Sequence, residues 1–415
     1  MDALARRDPE IARLMEAETA RARGTLSLIA SKNVSSQAVR EALGGGLTDK
    51  YAEGYPDDRF HEGCGAVDRI EDLAIDRARS LFAAAWANVQ PHSGSSANLA
   101  VLMAFLRPGD RILGMSGSAG GHFTHGGADH LSGRWLEGHA YGLGGDGRVD
   151  PEIVRREAKR LRPSLLVAGG SFHPREIPVA DLAGVAEECG ALLLFDMAHT
   201  SGLVAAGLHA NPVLHAHVVS STTHKTLRGP RGGLLLSRRP DLGARLDAAI
   251  FPGLQGGPLL HAIAAKAVAF GEAASEDFRA YATCVVAGAR RLGDALAEEG
   301  IPLSTGGTDC HFVVADLRGL GIAGAPAAAF LAEIGLVANK CPLPDDPEGR
   351  LSGIRLGTPS GTSRRLGPEE FAAVGTLVVR GLRLAAAGGA PDGTEGGAIR
   401  AGLARILAAA DGRRP

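Results

Sequence analysis

The sequence has few aromatic residues, few cysteines, almost no net charge and no long apolar run. Aromatic side chains make up 4% of the 415 residues and the formal net charge is -2. The chain therefore lacks the positive field and the stacking surface of a nucleic-acid-binding protein. Its five cysteines form no CxxC pair, which favours reduced packing residues over disulfides or a zinc site. Because residues 1–8 lack the apolar core of a secretion signal and no run of about 18 apolar residues follows, we expect a cytoplasmic protein with neither a nucleic-acid nor a membrane partner.

Short apolar runs alternate with helical patterns from about residue 86 onward. The runs cover residues 87–89, 111–113, 165–167, 191–195, 218–219 and 233–236. Continuous apolar runs of this length are typical of strands that are buried on both faces. Helical patterns between them, such as residues 181–189, supply the crossovers that parallel strands need. The sequence therefore predicts an α/β fold around a mostly parallel sheet.

Two regions with different patterns predict two domains. An N-terminal segment, with helices predicted at residues 2–23 and 65–83, joins the α/β region in a large domain over residues 1–275. Residues 276–415 predict a smaller α+β domain. Its predicted helices cover residues 280–299, 325–334 and 368–385, and its predicted strands cover residues 312–317 and 354–356. The glycine-rich residues 388–397 predict a flexible joint before a last short helix.

Two motifs resemble binding sites but lack the context that binding requires. Residues 142–147 match GxGxxG, but a dinucleotide site needs that loop to follow a strand and open a helix, and here the next predicted helix begins only at Pro151. Four residues of types that bind metals lie close together, namely His122, His125, Asp129 and His130. Two glycines in this stretch interrupt any helix that would align them on one face. We therefore expect neither a dinucleotide nor a metal ion.

Three strand ends carry residues that together suit pyridoxal phosphate. Lys225 follows the apolar run at 218–219, and a desolvated lysine has a lowered pKa, so its neutral amine can form a Schiff base. Asp196 ends the run at 191–195, where a carboxylate can keep a pyridinium nitrogen protonated. Residues 91–98 place small hydroxyl residues and a glycine at a helix N-terminus, which suits a phosphate. Each signal alone has an ordinary structural explanation, but their shared placement at strand ends favours a cofactor site.

These residues lie in stretches through which the sequence resembles the serine hydroxymethyltransferase family of fold-type I pyridoxal-phosphate enzymes. The resemblance runs from about residue 28 to residue 270 and from residue 306 to about residue 364. The matching stretches are YAEGYP (51–56), NVQPHSGS (88–95), DMAH (196–199), TTHKTLRGPRGG (222–233), FPGLQGGP (251–258) and GIRLGTP (353–359). The resemblance implies pyridoxal phosphate as cofactor, an amino-acid substrate and a homodimer with shared active sites. It leaves open whether the dimers pair into tetramers.

The resemblance also implies which residues bind the cofactor. Lys225 would hold it as a Schiff base, Asp196 would pair with the ring nitrogen, and His122 would stack on the ring face and act in catalysis. Further implied cofactor-binding residues are Ser93, Gly94 and Ser95 at the phosphate, Ser171 and His199 near the phenolic oxygen, and Thr223 and His224 beside the lysine. Three more would reach the phosphate from the neighbouring subunit, namely Tyr51, Gly256 and Gly257.

A second group of residues is implied in substrate binding and catalysis. Arg355 would clamp the amino-acid carboxylate with two parallel hydrogen bonds, a geometry that lysine cannot supply. Ser31 and Tyr51 would assist substrate binding, and Glu53 would bind near the substrate hydroxyl as the catalytic acid or base. His61 would lie near the reacting centre.

Several residues differ from the family pattern, and the differences are concentrated on the expected folate side of the pocket. Phe60 and His61 replace two tyrosines, Lys32 replaces a glutamate, Gly117 and Ala119 replace a leucine and a histidine, and His173 replaces a tyrosine. The change at His61 replaces a phenol with a group that titrates near neutral pH. Folate binding is therefore the part of the expected activity that the sequence puts in doubt.

Two enzymatic functions agree with these residues. Retention of Glu53 favours aldol cleavage of a β-hydroxy-α-amino acid, with serine and glycine interconverted and tetrahydrofolate as the acceptor. The alternative is a folate-independent threonine transaldolase or aldolase, in which a glycyl carbanion attacks an aldehyde. Lys225, Glu53 and Arg355 together argue against a regulatory protein that holds the cofactor without turnover. We expect the hydroxymethyltransferase.

Overall fold

A seven-stranded sheet forms the core of the larger part of the molecule in the computed structural model, which describes residues 2–347 and 349–412. In spatial order the strands are Trp86–Asn88, Gly233–Ser237, Val218–Thr222, Leu192–Asp196, Leu165–Gly169, Arg111–Met115 and Glu137–Tyr141. Only Gly233–Ser237 runs antiparallel to its neighbours within this described sheet; the other adjacent pairs are parallel. The predicted α/β fold with a mostly parallel sheet is confirmed.

Burial explains which strands the sequence pattern predicts. Every residue of Val218–Thr222 and of Leu165–Gly169 is buried, so each sequence reads as a continuous run of apolar or small residues. The strand Glu137–Tyr141 was not predicted, and three of its five residues are exposed. This strand lies at the edge of the sheet, where one side faces solvent and polar residues are tolerated. Its sequence therefore carries no apolar run.

The helices follow the predicted pattern with local differences at their ends. Their bounds are Asp2–Arg7, Pro9–Gly24, Gln37–Leu43, Gly65–Phe82, Gly94–Phe105, Leu131–Trp135, Pro151–Leu161, Val179–Cys189, Ser201–Ala205, Gly243–Ala248, Leu260–Ala273, Glu276–Glu298, Gly324–Glu333, Pro359–Ser363, Pro368–Ala386 and Thr394–Asp411. The helix predicted at 2–23 is divided at Asp8, because a residue before proline disfavours helical backbone. Asp8 instead caps the next helix by accepting a hydrogen bond from the Ile11 N–H at 3.1 Å.

A three-stranded antiparallel sheet forms the centre of the C-terminal part. In spatial order its strands are Phe312–Asp316, Gly353–Gly357 and Asn339–Cys341. The strand Leu26–Ser27 pairs in parallel with Leu336–Val337, and Leu26 belongs to the same buried apolar cluster as the C-terminal helices. The N-terminal segment thus packs against the C-terminal part. A domain boundary near residue 275 remains our proposal.

Two further features bear on the expectations from composition. No helix within residues 2–347 and 349–412 is long and apolar enough to cross a membrane; the cytoplasmic location stays a prediction. All five cysteines lie in the described part of the chain and are free thiols. Helix Thr394–Asp411 begins inside the glycine-rich stretch 388–397, so that stretch includes the first turn of a helix as well as a connection.

Candidate active site

A cavity of about 740 Å³ opens at the carboxyl ends of the central strands. Predicted residues from both parts of the chain line it, namely Ser31, Ser93, Gly94, Ser95, His122, Ser171, Asp196, His199, His224, Lys225 and Arg355. Asp196 and Thr222 are the last residues of adjacent parallel strands and both line the cavity. Open α/β sheets bind their ligands at this edge. The fold therefore joins the three sequence signals in one space.

Lys225 lies in the loop that follows the strand Val218–Thr222 and presents its side chain to the cavity. Burial, which penalises the charged form, lowers the pKa of Lys225 to about 8. The negative charge of Asp196 opposes this shift, and the positive charges of Arg355 and Arg231 add to it. A substantial fraction of the amine is therefore neutral near pH 8, as nucleophilic attack on an aldehyde requires.

Asp196 is held as an ionised carboxylate by donors on both oxygens. Its Oδ2 accepts hydrogen bonds from Asn98 Nδ2 at 2.8 Å and from His125 Nε2 at 3.1 Å, and its Oδ1 accepts one from the Ala198 N–H at 2.9 Å. Burial alone would raise the pKa of Asp196, but the hydrogen bond and charge of His125, with the charge of Lys225, outweigh it. The pKa lies well below its usual value. A carboxylate in this state can keep a nearby ring nitrogen protonated.

Asn98 and His125 are functional candidates that the sequence reasoning missed. Both are buried, and Asn98 Oδ1 also accepts a hydrogen bond from Ser220 Oγ at 2.5 Å. Asn98 is 98 residues away from Asp196 in the sequence, so no local pattern links the two. For His125, the available signal was its spacing from His122, which the sequence analysis weighed only as a metal motif.

Two of the four clustered residues, His122 and His125, meet Asp196 without lying on a common α-helix. A one-turn 3-10 helix, rather than an α-helix, brings His122 and His125 to Asp196, so that one ligand atom from each lies within 4.8 Å of the others. His130 instead caps the helix Leu131–Trp135. The His125 and Asp196 atoms already form a hydrogen bond. The absence of a metal remains a prediction.

His122 offers a flat neutral ring to the cavity. Burial lowers the pKa of His122 to about 4, so the ring is uncharged at neutral pH. Its Nδ1 lies 2.7 Å from Thr124 Oγ1, which fixes the ring orientation, and its centroid lies 4.0 Å from that of Phe123. A neutral aromatic ring held in this way can pack on the face of an aromatic ligand.

The N-terminus of the helix Gly94–Phe105 lies at the cavity wall and has the geometry that suits an anion. Ser93 Oγ accepts from the Ser96 N–H at 3.1 Å, and Ser96 Oγ accepts from the Ser93 N–H at 2.9 Å. This reciprocal cap fixes the turn and leaves the first N–H groups of the helix for an anion. A Cβ on Gly94 would lie 2.7 Å from Thr222 Cγ2, so the close approach of the turn to the sheet requires glycine.

Arg355 projects from the strand Gly353–Gly357 and lies at the cavity wall. Its Nη2 donates to Asn339 Oδ1 at 2.9 Å and its Nη1 donates to the carbonyl oxygen of Ser171. Its Cζ lies 4.7 Å from the centre of the Phe172 ring. Burial lowers the pKa of Arg355 to about 10, so the guanidinium stays charged at neutral pH. Its buried Nε has no partner within the described residues, which suits an incoming carboxylate.

His199 belongs to a buried pair that the sequence did not reveal. Its Nδ1 lies 3.3 Å from Nε2 of His311, and the two rings stack with centroids 5.4 Å apart. Burial lowers the pKa of both rings well below the usual value, and nearby Arg355 and Lys225 lower each further. The pair is therefore neutral and can share at most one proton through this contact.

Thr223 and His224 differ in their position relative to the cavity. Thr223 lies outside the lining; its Oγ1 donates to the Pro230 carbonyl oxygen at 2.6 Å, while the neighbouring Thr222 lines the cavity. His224 does line the cavity, and burial with the charge of Arg231 lowers its pKa to about 3. Thr223 therefore stabilises the loop that carries Lys225 and does not itself face the cavity.

The remaining predicted residues form a second cluster on the surface, outside the cavity lining. Tyr51 Oη donates to Glu53 Oε1 at 2.9 Å, and the Tyr51 ring stacks on His61 with centroids 5.5 Å apart. A Cβ on Gly257 would lie 2.6 Å from the Tyr51 ring, and one on Gly256 would lie 3.5 Å from Glu53 Oε1. Tyr51 is 58% exposed. We call these five residues the surface half-site.

The residues that depart from the family pattern are spread over three surroundings. Gly117 lines the main cavity, whereas His173 lines a smaller cavity behind it and has no partner on either ring nitrogen among the described residues. Phe60 is 74% exposed and packs edge-on against Phe251 beside the surface half-site. Their concentration on one side of a folate pocket remains a prediction.

Comparison with known proteins identifies the family. The family model described as serine hydroxymethyltransferase matches residues 4–378. The chain belongs to the serine hydroxymethyltransferase family. A serine hydroxymethyltransferase of Acidiphilium cryptum is 53% identical over 382 residues, which cover 91% of this chain and 88% of the relative. One of Rhodospirillum centenum is 52% identical over 384 residues (92% and 90%), and serine hydroxymethyltransferase 1 of Bordetella parapertussis is 52% identical over 393 residues (94% and 90%).

Serine hydroxymethyltransferases are fold-type I enzymes, and this fold agrees with the observed α/β architecture. The family implies pyridoxal phosphate as the cofactor. The residues present fit that group: the capped turn that requires Gly94 suits its phosphate, the ionised Asp196 suits its ring nitrogen, and Lys225 suits its aldehyde. The chemistry of the donors thus agrees with the family assignment.

Proposed function

We propose that this protein is a pyridoxal-phosphate enzyme that interconverts serine and glycine with tetrahydrofolate as the one-carbon acceptor. The observation that carries the proposal is that Lys225, Asp196 and Arg355 line one cavity. They supply a nucleophilic amine, an ionised carboxylate and a guanidinium whose Nε has no partner among the described residues. A relative such as that of Acidiphilium cryptum bears the name of this activity at 53% identity.

Each cavity residue has a proposed task toward the cofactor. Lys225 would bind its aldehyde carbon, Asp196 would pair with its ring nitrogen, and the Gly94 turn would hold its phosphate. When bound, the cofactor supplies an electron sink for a bond at the amino-acid α-carbon. His122 would pack on its ring. Because the pKa of Asp196 lies well below its usual value, its carboxylate would keep the ring nitrogen protonated.

Arg355 orients the substrate. Its unpartnered Nε and one Nη present two adjacent N–H donors, and a carboxylate that binds both is fixed in direction as well as in position. With the cofactor bound, the α-carbon bond held perpendicular to its ring plane would be the one that is weakened. Arg355 and His122 together would therefore select that bond.

Glu53 and the other residues of the surface half-site complete the cavity of a neighbouring subunit in our proposal. The exposed Tyr51 donates to Glu53, and Gly257 fits tightly against the Tyr51 ring, yet none of these residues lines the main cavity of this chain. In a symmetric homodimer each subunit would give its half-site to the other. Glu53 would then move a proton at the substrate hydroxyl, with Tyr51 fixing its carboxylate.

Product analysis tests the proposed reaction. The enzyme is incubated with serine and pyridoxal phosphate, with and without tetrahydrofolate, and glycine is quantified. Glycine formation that depends on both folate and Lys225 supports the proposal, with Lys225→Ala as the negative control. If an aldehyde replaces folate as acceptor and folate has no effect, the aldolase or transaldolase alternative is correct instead.

A further inference from the structure

A fully buried lysine contacts the segments that build the anion site. Lys266 lies in the helix Leu260–Ala273 and is 2% exposed. Its ammonium group donates to three backbone carbonyl oxygens: Val89 at 2.5 Å, Pro91 at 3.1 Å and Gly233 at 2.9 Å. All three ammonium hydrogens are therefore used. None of the tasks assigned above involves this lysine.

The three carbonyls lie on both sides of the turn formed by Ser93, Gly94, Ser95 and Ser96, which we call the anion turn. Val89 and Pro91 lead directly to Ser93, the cap of the helix that would hold the phosphate. On the other side, a Cβ on Gly233 would lie 2.2 Å from the Ser93 carbonyl oxygen, so Gly233 packs directly against the cap. The Gly233 N–H also donates to Pro91 at 2.8 Å. Lys266 thus holds together the two backbone segments whose separation sets the shape of the turn.

The side chain of Lys266 has little freedom to move. A Cβ on Gly232 would lie 2.4 Å from Lys266 Cε and 2.9 Å from its Nζ, so glycine is needed there to admit the lysine. Three fixed acceptors and a close-packed stem hold the ammonium in one position. A fixed donor of this kind preorganises a turn before any ligand arrives.

The charge of Lys266 also reaches the anion turn. It contributes to the lowering of the pKa of His92, after burial, and His92 directly precedes Ser93. The carboxylate of Glu71 is close enough to raise the pKa of Lys266. Glu71 itself accepts hydrogen bonds from Arg59 Nη2 at 2.7 Å and from Gln90 Nε2 at 2.8 Å. Burial lowers the pKa of Lys266 to about 7 and Glu71 opposes that shift, so at neutral pH the amine is protonated for part of the time. A positive charge in a low-dielectric interior favours an anion nearby.

We propose that Lys266 is a positioning residue that raises the affinity of the anion turn for the phosphate group of the cofactor. It acts by fixing the carbonyls of Pro91 and Gly233 around Ser93, and in its protonated form it also adds a buried positive charge. The inference rests on the proposed function, because it takes the Gly94 turn as the phosphate site. Packing alone does not explain the lysine, because methionine has a similar shape and could fill the same space without N–H donors or a charge.

The test compares ligands that differ only in the phosphate. Apoenzymes of the wild type, Lys266→Met and Lys266→Gln are titrated with pyridoxal phosphate, with pyridoxal and with inorganic phosphate, and thermal unfolding is recorded for each. Lys266→Met removes donors and charge, whereas Lys266→Gln retains two N–H donors without the charge. Lys159→Met, at an exposed lysine paired with Glu188 at 3.1 Å, is the matched control.

In Lys266→Met we expect Kd to rise at least about tenfold for pyridoxal phosphate and for phosphate, but less than about twofold for pyridoxal. Lys266→Gln should lie between this variant and the wild type, and Lys159→Met should leave all three affinities unchanged. Equal losses for pyridoxal phosphate and pyridoxal, or a loss of thermal stability alone, would make Lys266 a purely structural residue and overturn the proposal. So would the failure of both Lys266 variants to fold.

The outcome also separates this inference from the proposed function. A wild-type apoenzyme that binds pyridoxal phosphate no more tightly than pyridoxal contradicts the phosphate site itself, and with it the proposed function. A wild type with a clear preference for the phosphorylated ligand, kept by both Lys266 variants, contradicts only the role of Lys266.

Discussion

His125 donates its Nε2 hydrogen to Asp196 Oδ2 over 3.1 Å, from a position 71 residues earlier in the chain. The histidine is almost fully buried, and its hydrogen bond is the largest influence that lowers the pKa of the carboxyl group. Asn98 donates to the same oxygen at 2.8 Å. His125 and Asn98 thus fix the position of Asp196 and keep its carboxylate ionised, without needing to contact a ligand themselves.

Replacement of His125 should weaken catalysis through Asp196. A hydrogen bond to a charged group contributes about 1.5–3 kcal/mol, so we expect His125→Asn to lower kcat/KM for serine about 10- to 100-fold and to raise the pKa of Asp196. The exposed His215→Asn is the control. Steady-state kinetics across pH measure both effects. A variant with wild-type kcat/KM and pH profile would remove His125 from the account.

Cofactor capture should depend on pH through Lys225. The pKa of Lys225 is lowered to about 8 by burial and nearby cations, and only the neutral amine attacks an aldehyde. Below the pKa the neutral fraction grows about tenfold per pH unit. The rate of pyridoxal phosphate capture by the apoenzyme should therefore rise steeply from pH 6 to pH 7 and level off above pH 8. Stopped-flow absorbance measures this rate; a rate that still rises about tenfold per pH unit between pH 8 and pH 10 contradicts the lowered pKa.

The shared active site predicts complementation between two inactive variants. In a dimer of Lys225→Ala with Glu53→Gln, one cavity combines an intact Lys225 with the intact Glu53 of its neighbour. Random mixing should give about a quarter of wild-type activity, because half of the dimers are mixed and each has one intact site. Co-refolding of the two proteins followed by a serine cleavage assay measures it. If mixed dimers are as inactive as either parent, Glu53 acts within its own chain or not at all.

Arg355 should not be replaceable by lysine. Lysine lacks the planar fork that binds both oxygens of a carboxylate, so Arg355→Lys should raise KM for serine about 100-fold and leave cofactor affinity nearly unchanged. Arg318→Lys, at an exposed pair with Asp316, is the control. Kinetics and cofactor titration together make the test. A KM within about threefold of the wild type would show that the carboxylate binds elsewhere.

The sequence correctly predicted the buried strands and the motif residues that follow them. The runs ending at Asp196 and Thr222 are strands because both faces are covered, and the adjacent motif residues followed from strand-end placement. The edge strand Glu137–Tyr141 escaped because its exposed side tolerates polar residues. Asn98 and His311 escaped because their partners, Asp196 and His199, are about a hundred residues away and meet them only in the folded chain.

Local sequence also could not predict the shifted pKa of Lys225 or the division of the predicted residues into two clusters. The pKa of Lys225 is lowered mainly by burial in the folded chain, and Arg355, from the other part of the chain, adds to that shift. The division of the predicted residues between a cavity and the surface half-site becomes visible only when the fold separates them, as it does for Lys225 and Glu53. Composition and spacing carry no information about this separation.

Covalent trapping tests the central claim most directly. The protein is incubated with pyridoxal phosphate, reduced with borohydride, digested and analysed by mass spectrometry, with Lys225→Ala and Lys266→Gln treated in parallel. The account predicts a phosphopyridoxyl group on Lys225 in the wild type and in Lys266→Gln at saturating cofactor, and no stoichiometric label in Lys225→Ala. A wild type labelled stoichiometrically at another lysine, or not labelled at all, contradicts the account.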